Sequence, residues 1–202
     1  MIVILNLNTG NLEALKNAVE ECGFTSKICS PDSVPEDYSH LILPGVGSYN
    51  STMQSLVTKK YVKSILNLIQ SGKPVLGICL GMQILSSFGN EPNRIKGLNL
   101  IEGNVSELIT GQPLPHVGWN EIEIKKKHPI LEGIVSKSDF YFVHSMSFKL
   151  KFKKNEIAQT HYDQNFTSIV AKKNIFAVQF HPEKSQKKGL RLLKNFCNWN
   201  GF

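Results

Sequence analysis

A chain of 202 residues that is 41% hydrophobic and 19% charged suits one α/β domain spanning 1–202, and this composition excludes intrinsic disorder. No apolar run reaches the length of a bilayer span, and Met1-Ile-Val-Ile-Leu-Asn6 has neither a basic leader nor a cleavage site, so a first strand and a cytoplasmic location are expected, with no membrane partner. The formal charge of +7 gathers on lysines at 125–127, 149–154, 172–173 and 184–188, with little aromatic interleaving, which favours a solvated face over nucleic-acid binding.

In chain order, the first half reads as strand 2–5, helix 11–22, strand 26–29, strand 40–43, helix 53–70, strand 75–78 and helix 80–88. From residue 97 the pattern shortens into β-like runs at 103–108, 120–124, 140–143, 148–152, 155–161, 166–171 and 175–180, and a helix over 187–199 closes the chain. The early alternation predicts βαβ units: an α/β fold with a mostly parallel central sheet, helices on both faces and additional short strands in the second half. No repeat or low-complexity linker divides it.

Cysteines stand at 22, 29, 79 and 197, with no C-x-x-C pair and no histidine at metal spacing, so neither a metal nor a disulfide is expected. Cys22 extends a helical stripe of Leu12, Leu15 and Val19, and Cys197 lies beside Leu193 and Phe196; both read as core, while Cys29 falls in a strand. Three Asn-x-Ser/Thr triplets, at Asn50, Asn104 and Asn165, are chance matches in a cytoplasmic chain.

Cys79 differs. An apolar run over 75–78 breaks at this cysteine, Gly77 and Gly81 flank it, and an amphipathic stretch (Met82, Ile84, Leu85, Phe88) follows. This is the cysteine form of the G-x-S-x-G nucleophile elbow, in which small neighbours allow a cramped strand-to-helix turn. A helix N-terminus behind the sulfur would favour the thiolate. His181 ends another apolar run, 174–180, and can act as the base, while Glu183 can orient its imidazole. A lone cysteine after a strand is ordinarily a small hydrophobe, and most histidines are structural. Here the glycines, the following helix and the His-x-Glu pair all agree on acyl transfer through a thioester.

Pro44-Gly45-Val46-Gly47 also follows a predicted strand. It can be a plain turn, or it can present N–H groups to the same cleft. The Leu80 N–H then forms one oxyanion donor, and an N–H from Gly45–Gly47 the second. As a dinucleotide fingerprint the loop fails, because Asn50 occupies the position of the last glycine in G-x-G-x-x-G. No cofactor is expected. All three segments leave strand carboxyl ends, so one cleft can hold them.

The order Pro44-Gly-Val-Gly47, Gly77-Ile-Cys-Leu-Gly-Met-Gln83, His181-Pro-Glu183 resembles class I (triad) glutamine amidotransferase domains. Gly10-Asn11-Leu12, Gly97-Leu-Asn-Leu-Ile101, Pro115-His-Val-Gly-Trp-Asn120, Phe140-Tyr-Phe-Val-His-Ser145 and Gln179-Phe-His-Pro-Glu-Lys-Ser-Gln186 narrow the likeness to the glutaminase subunits of imidazole glycerol phosphate synthase, over essentially the whole chain. The resemblance implies that Cys79 attacks the amide of glutamine, His181 protonates the leaving ammonia and Glu183 holds the imidazole. It implies that Gln83 contacts glutamine, and that His144 and Ser145 line its amino-acid end. Asn11, Trp119, Asn120 and Lys184 would face a partner, Trp119 from an exposed loop and not from the core.

That partner, by the same resemblance, is a (β/α)8-barrel cyclase in a heterodimer, using ammonia on a phosphorylated ribulosyl intermediate of histidine biosynthesis. Relatives of this subunit also feed synthase-like partners that amidate surface-polysaccharide sugars, so two acceptors remain. Chemistry alone also asks for a partner. Ammonia released into neutral water becomes ammonium, which is no nucleophile, so it must pass directly to an acceptor site.

Overall fold

Along the first strand, β1 (Ile2–Leu5), Ile2 and Ile4 enter one hydrophobic cluster while Val3 and Leu5 enter another. A strand that is apolar on both faces belongs to a sheet covered on both sides. The computed structural model describes residues 1–89 and 94–202. After β1 come α1 (Leu12–Glu21), β2 (Ser26–Cys29), β3 (His40–Leu43), α2 (Tyr49–Thr58), α3 (Tyr61–Gln70), β4 (Val75–Ile78) and α4 (Leu80–Gln83). The second half adds β5 (Phe88–Gly89), β6 (Ile95–Lys96), β7 (Gly103–Glu107), β8 (His116–Ile124), β9 (Ser138–His144) and β10 (Met146–Leu150). It ends with β11 (Glu156–Tyr162), β12 (Gln164–Lys172), β13 (Ile175–Val178) and α5 (Gln186–Asn198).

The main sheet runs β2-β1-β3-β4-β13-β12-β11-β8-β9. Its β2-to-β13 half is parallel, and the rest is antiparallel. A smaller sheet, β10-β7-β5-β6, lies apart. Leu15 and Val19 of α1 and Leu192, Leu193 and Phe196 of α5 fill one core, and Met53 and Leu56 of α2 with Ile65 and Ile69 of α3 fill the other. The α/β class and helices on both faces are as expected.

Two helices differ from expectation. The stretch 53–70 is not one helix: α2 stops at Thr58, and Lys60 takes a left-handed φ of 60° before α3 begins. At about 100° per residue, Leu56 and Ile65 would sit on opposite sides of one continuous helix. The break turns both into the same core. The helix expected over 80–88 is a single turn, α4, and Phe88 belongs to β5. Leu98, Asn99, Leu100 and Ile101 donate to the carbonyls of Ile84, Ser86, Leu85 and Leu85, replacing the i→i+4 ladder. The strands at 120–124 and 140–143 also lengthen, to the full β8 and β9, which draws the Pro115–Asn120 motif into the sheet.

The parallel register places the site. Gly77 pairs with Ala177 and Ile78 with Val178, so β4 and β13 end side by side. Cys79 leaves one strand as Gln179-Phe180-His181 leaves the other, and the Cys79 N–H donates to the Val178 carbonyl at 2.8 Å.

Candidate active site

Cys79 has φ 52° and ψ −108°, an elbow conformation that side chains rarely adopt. The flanking glycines make room for it. A Cβ on Gly81 would lie 1.7 Å from the Leu43 carbonyl oxygen, and one on Gly77 would lie 2.9 Å from Ala177 Cβ. The four residues of α4 are too short to supply a helix macrodipole, so the helical contribution expected at the sulfur is absent from the structure.

His181 is 2% exposed. Its N–H donates to the Tyr141 carbonyl of β9 at 2.9 Å, and its own carbonyl accepts from Ser185 Oγ at 2.6 Å. Ser185 Oγ in turn accepts from the Tyr141 N–H at 3.0 Å, so the loop is tied to β9 at two points and braced within itself at a third. The ring's Nδ1 lies 2.8 Å from Glu183 Oε1. This fixes the tautomer, because a carboxylate can only accept, and leaves Nε2 to exchange a proton. Nε2 is buried and makes no hydrogen bond of ordinary geometry. Burial disfavours the charged ring, but the Cys79 sulfur and the Glu183 carboxylate outweigh it and raise the His181 pKa to about 10. The ring is therefore held in its protonated form beside the Cys79 sulfur.

The sulfur has two further neighbours. As a thiol it points at the Val143 carbonyl, 3.9 Å away, and it accepts from Gln179 Nε2 at 3.6 Å. Gln83 Nε2 grips this arrangement, donating to Gln179 Oε1 at 3.0 Å and to the Met146 carbonyl at 3.2 Å.

The Leu80 N–H, expected as an oxyanion donor, is engaged in the structure: it donates to the Gly45 carbonyl at 3.2 Å. Val46 is half-exposed beside it and Gly47 has φ +110°. Gly45, Val46, His181, Glu183, Gly10 and Asn11 line one small cavity of about 20 Å³. Asn11 is also the N-cap of α1, accepting from the Ala14 N–H at 3.0 Å.

Among the residues expected to line the glutamine site, His144 is buried and fully engaged. Its Nδ1 lies 2.8 Å from the Met146 carbonyl and its Nε2 lies 3.1 Å from His116 Nδ1. Ser145 sits at the bend between β9 and β10, its carbonyl accepting from the Leu108 N–H. Trp119 lies on strand β8 and not on a loop, because it pairs with Tyr141 in the β8–β9 ladder; it is 48% exposed. Its ring meets Tyr141 edge-on at 6.1 Å, and Lys184 Nζ stands 5.8 Å from the same Tyr141 ring. Asn120, on the opposite face of β8, turns inward and donates to the His161 carbonyl at 2.9 Å.

Gln179, Tyr141, Val143 and Ser185 touch the catalytic pair although reading the sequence assigned them no role. Gln179 carried a signal: it is the one polar residue inside the otherwise apolar run 175–180.

A buried imidazolium–sulfur pair with a carboxylate behind the ring can open an amide or ester through a covalent thioester. A family profile described as "Glutamine amidotransferase class-I" matches residues 3–199. Curated relatives include the imidazole glycerol phosphate synthase subunit HisH of Caldanaerobacter subterraneus, 41% identical across 97% of each chain. The same subunit from Aquifex aeolicus is 40% identical over 96% of this chain and 94% of that one. Among solved structures, PurLQS from Thermotoga maritima superposes with a TM-score of 0.78 at 20% identity, covering 98% of this chain and 97% of the other, a likeness of fold. The chain belongs to the class I glutamine amidotransferase family.

Proposed function

We propose that this chain is the glutaminase subunit of imidazole glycerol phosphate synthase. The observation that carries the chemistry is the Glu183–His181 contact of 2.8 Å beside the elbow cysteine. The choice of synthase rests on near-full-length relatives of that name in several bacteria.

In this reading Cys79 Sγ attacks the side-chain carbonyl carbon of glutamine. The C–S bond forms, and the carbonyl electrons move onto oxygen. His181 Nε2 delivers its proton to the amide nitrogen, the C–N bond breaks and ammonia leaves. Water then gives a proton back to His181 and attacks the thioester carbon. Cleavage of the C–S bond releases glutamate and restores the starting pair. Glu183 stabilises the imidazolium at each stage.

In this reading Gln83, which reaches the sulfur through Gln179, His144 and Ser145 belong to the glutamine site, His144 by shaping its wall. Trp119 and Lys184 present the exposed face around Tyr141 to a (β/α)8-barrel cyclase in a heterodimer, with Asn11 and Asn120 at its margins. Ammonia passes to that partner for a step of histidine biosynthesis, in the cytoplasm, and the whole chain acts as one glutaminase domain. Growth of a histidine auxotroph lacking this subunit tests the acceptor: restored growth on co-expression with the cognate cyclase supports it. No growth, with a complex that still hydrolyses glutamine, contradicts the assignment to the histidine pathway.

A further inference from the structure

The Cys79 sulfur sits between two groups of opposite preference. The Val143 carbonyl, 3.9 Å away, can only accept, so it favours the thiol. The Gln179 side-chain amide, 3.6 Å away on the other strand end, donates an N–H, so it favours the anion. Gln179 is wholly buried, and its orientation is not free. Gln83 Nε2 donates to Gln179 Oε1, which leaves Gln179 Nε2 aimed at the sulfur, and Gln83 is itself anchored on the Met146 carbonyl. A flipped Gln179 would bring its oxygen against the sulfur and two N–H donors against each other.

We propose that Gln179 is a positioning residue for the nucleophile: its clamped amide holds the Cys79 sulfur at the strand end and favours the thiolate before any substrate arrives. The proposal deepens the glutaminase reading and rests on Cys79 as its nucleophile. A buried anion needs hydrogen bonds as well as a counter-charge. His181 supplies the counter-charge through one side, and the short α4 supplies no dipole of consequence. The amide supplies a second contact from the residue that follows β13, two positions before His181 on the same segment.

The same clamp continues outward. The Met146 carbonyl accepts from Gln83 and from His144 Nδ1. With Nδ1 protonated, neutral His144 accepts at Nε2 from His116 Nδ1, and His116 Nε2 accepts from Asn120 Nδ2 at 3.2 Å. Every donor in this line points the same way, from Asn120 on β8 toward the Met146 carbonyl. The Met146 carbonyl that anchors Gln83 is thus also held from β8, through His116 and His144.

The titratable group facing Cys79 is His181, with Glu183 behind it; His144 on β9 interacts with His181 and is kept neutral by burial, which lowers its pKa to about 3. A test must therefore separate Gln179 from His181. The rate of Cys79 alkylation by iodoacetamide, measured against pH on the assembled complex without glutamine, reports the thiolate directly. Gln179→Met keeps the length and removes the donor, and Gln179→Asn withdraws the amide by one methylene. Each is expected to slow alkylation at pH 7 about tenfold, with kcat for glutamine falling and ammonia-dependent synthesis unchanged.

Circular dichroism and complex formation check that the variants fold. In the wild-type protein, the Gln179 Nε2 proton and nitrogen resonances are expected to shift as Cys79 ionises. An unchanged alkylation rate at pH 7 in a folded variant, or a Gln179 side-chain signal that ignores Cys79 ionisation, overturns the proposal. The glutaminase reading has a separate failure: wild-type complex that alkylates normally but releases no ammonia from glutamine.

Discussion

The backbone N–H of Leu80 donates to the carbonyl of Gly45 at 3.2 Å, so the donor best placed to stabilise a tetrahedral oxyanion is already occupied. A substrate oxygen can use it only after the Gly45–Val46 peptide turns away. Gly47, at φ +110°, makes the loop tolerant of such a turn, and half-exposed Val46 is accessible to a partner. Loss of one such donor typically costs about 100- to 1,000-fold in rate.

The free chain is therefore expected to hydrolyse glutamine at least about 100-fold more slowly than the complex carrying its acceptor ligand. The partner shifts the balance between two loop states by contacts that differ between them. Steady-state turnover and thioester formation in the free chain, the complex and the loaded complex check this. Equal turnover in all three contradicts the gate and leaves the triad in place.

Trp119→Ala is expected to weaken association with the cyclase by about 2 kcal/mol or more, about 30-fold in Kd. The ring is 48% exposed and rests edge-on against Tyr141, so its loss opens no core cavity. Titration calorimetry measures the affinity, and thermal unfolding of the free chain is expected to change little. A chain that unfolds while its residual affinity is unchanged would make Trp119 a core residue.

His116 and His144 are expected to stay neutral at pH 5. Burial pushes His116 down to about 4; in His144 burial outweighs the Met146 carbonyl's upward pull, and the charges of His116 and His181 add to the fall, to about 3. The sign follows. Below an unfolded value of 6.5 the unfolded chain takes up these protons and the folded chain does not, so acid lowers stability progressively as pH falls from there toward 4. Imidazole nitrogen shifts between pH 8 and pH 5 test the neutral tautomers, and denaturant midpoints test the stability trend. Rings that titrate near their ordinary value would break the proposed line of donors.

The elbow was legible because its chemistry leaves a backbone signature: Gly81 must be small to clear the Leu43 carbonyl, and that need shows in the sequence. His181 and Glu183 were legible for the same kind of reason, lying two residues apart at a strand end. Most strand centres were equally plain from their apolar runs. The break at Lys59–Lys60 was not, because local periodicity does not reveal that Leu56 and Ile65 must share a core.

The His116–His144 contact was hidden for a different reason. It arises from the β8–β9 register, which places residues 28 positions apart directly opposite each other. Gln179 acquires its role only when β4 and β13 align. Trp119 was correctly read as exposed, but on the wrong element, since Pro115 and Gly118 suggested a loop where the chain forms β8.

The most direct test of the account uses Cys79→Ala in the assembled complex. Glutamine-dependent synthesis is expected to disappear, while synthesis from added ammonium salts at raised pH, where free ammonia is available, continues at the wild-type rate. That outcome separates an ammonia source on this chain from the acceptor chemistry of its partner. Persistent glutamine-dependent synthesis, or loss of the ammonia-dependent reaction in a complex that still assembles, would contradict it.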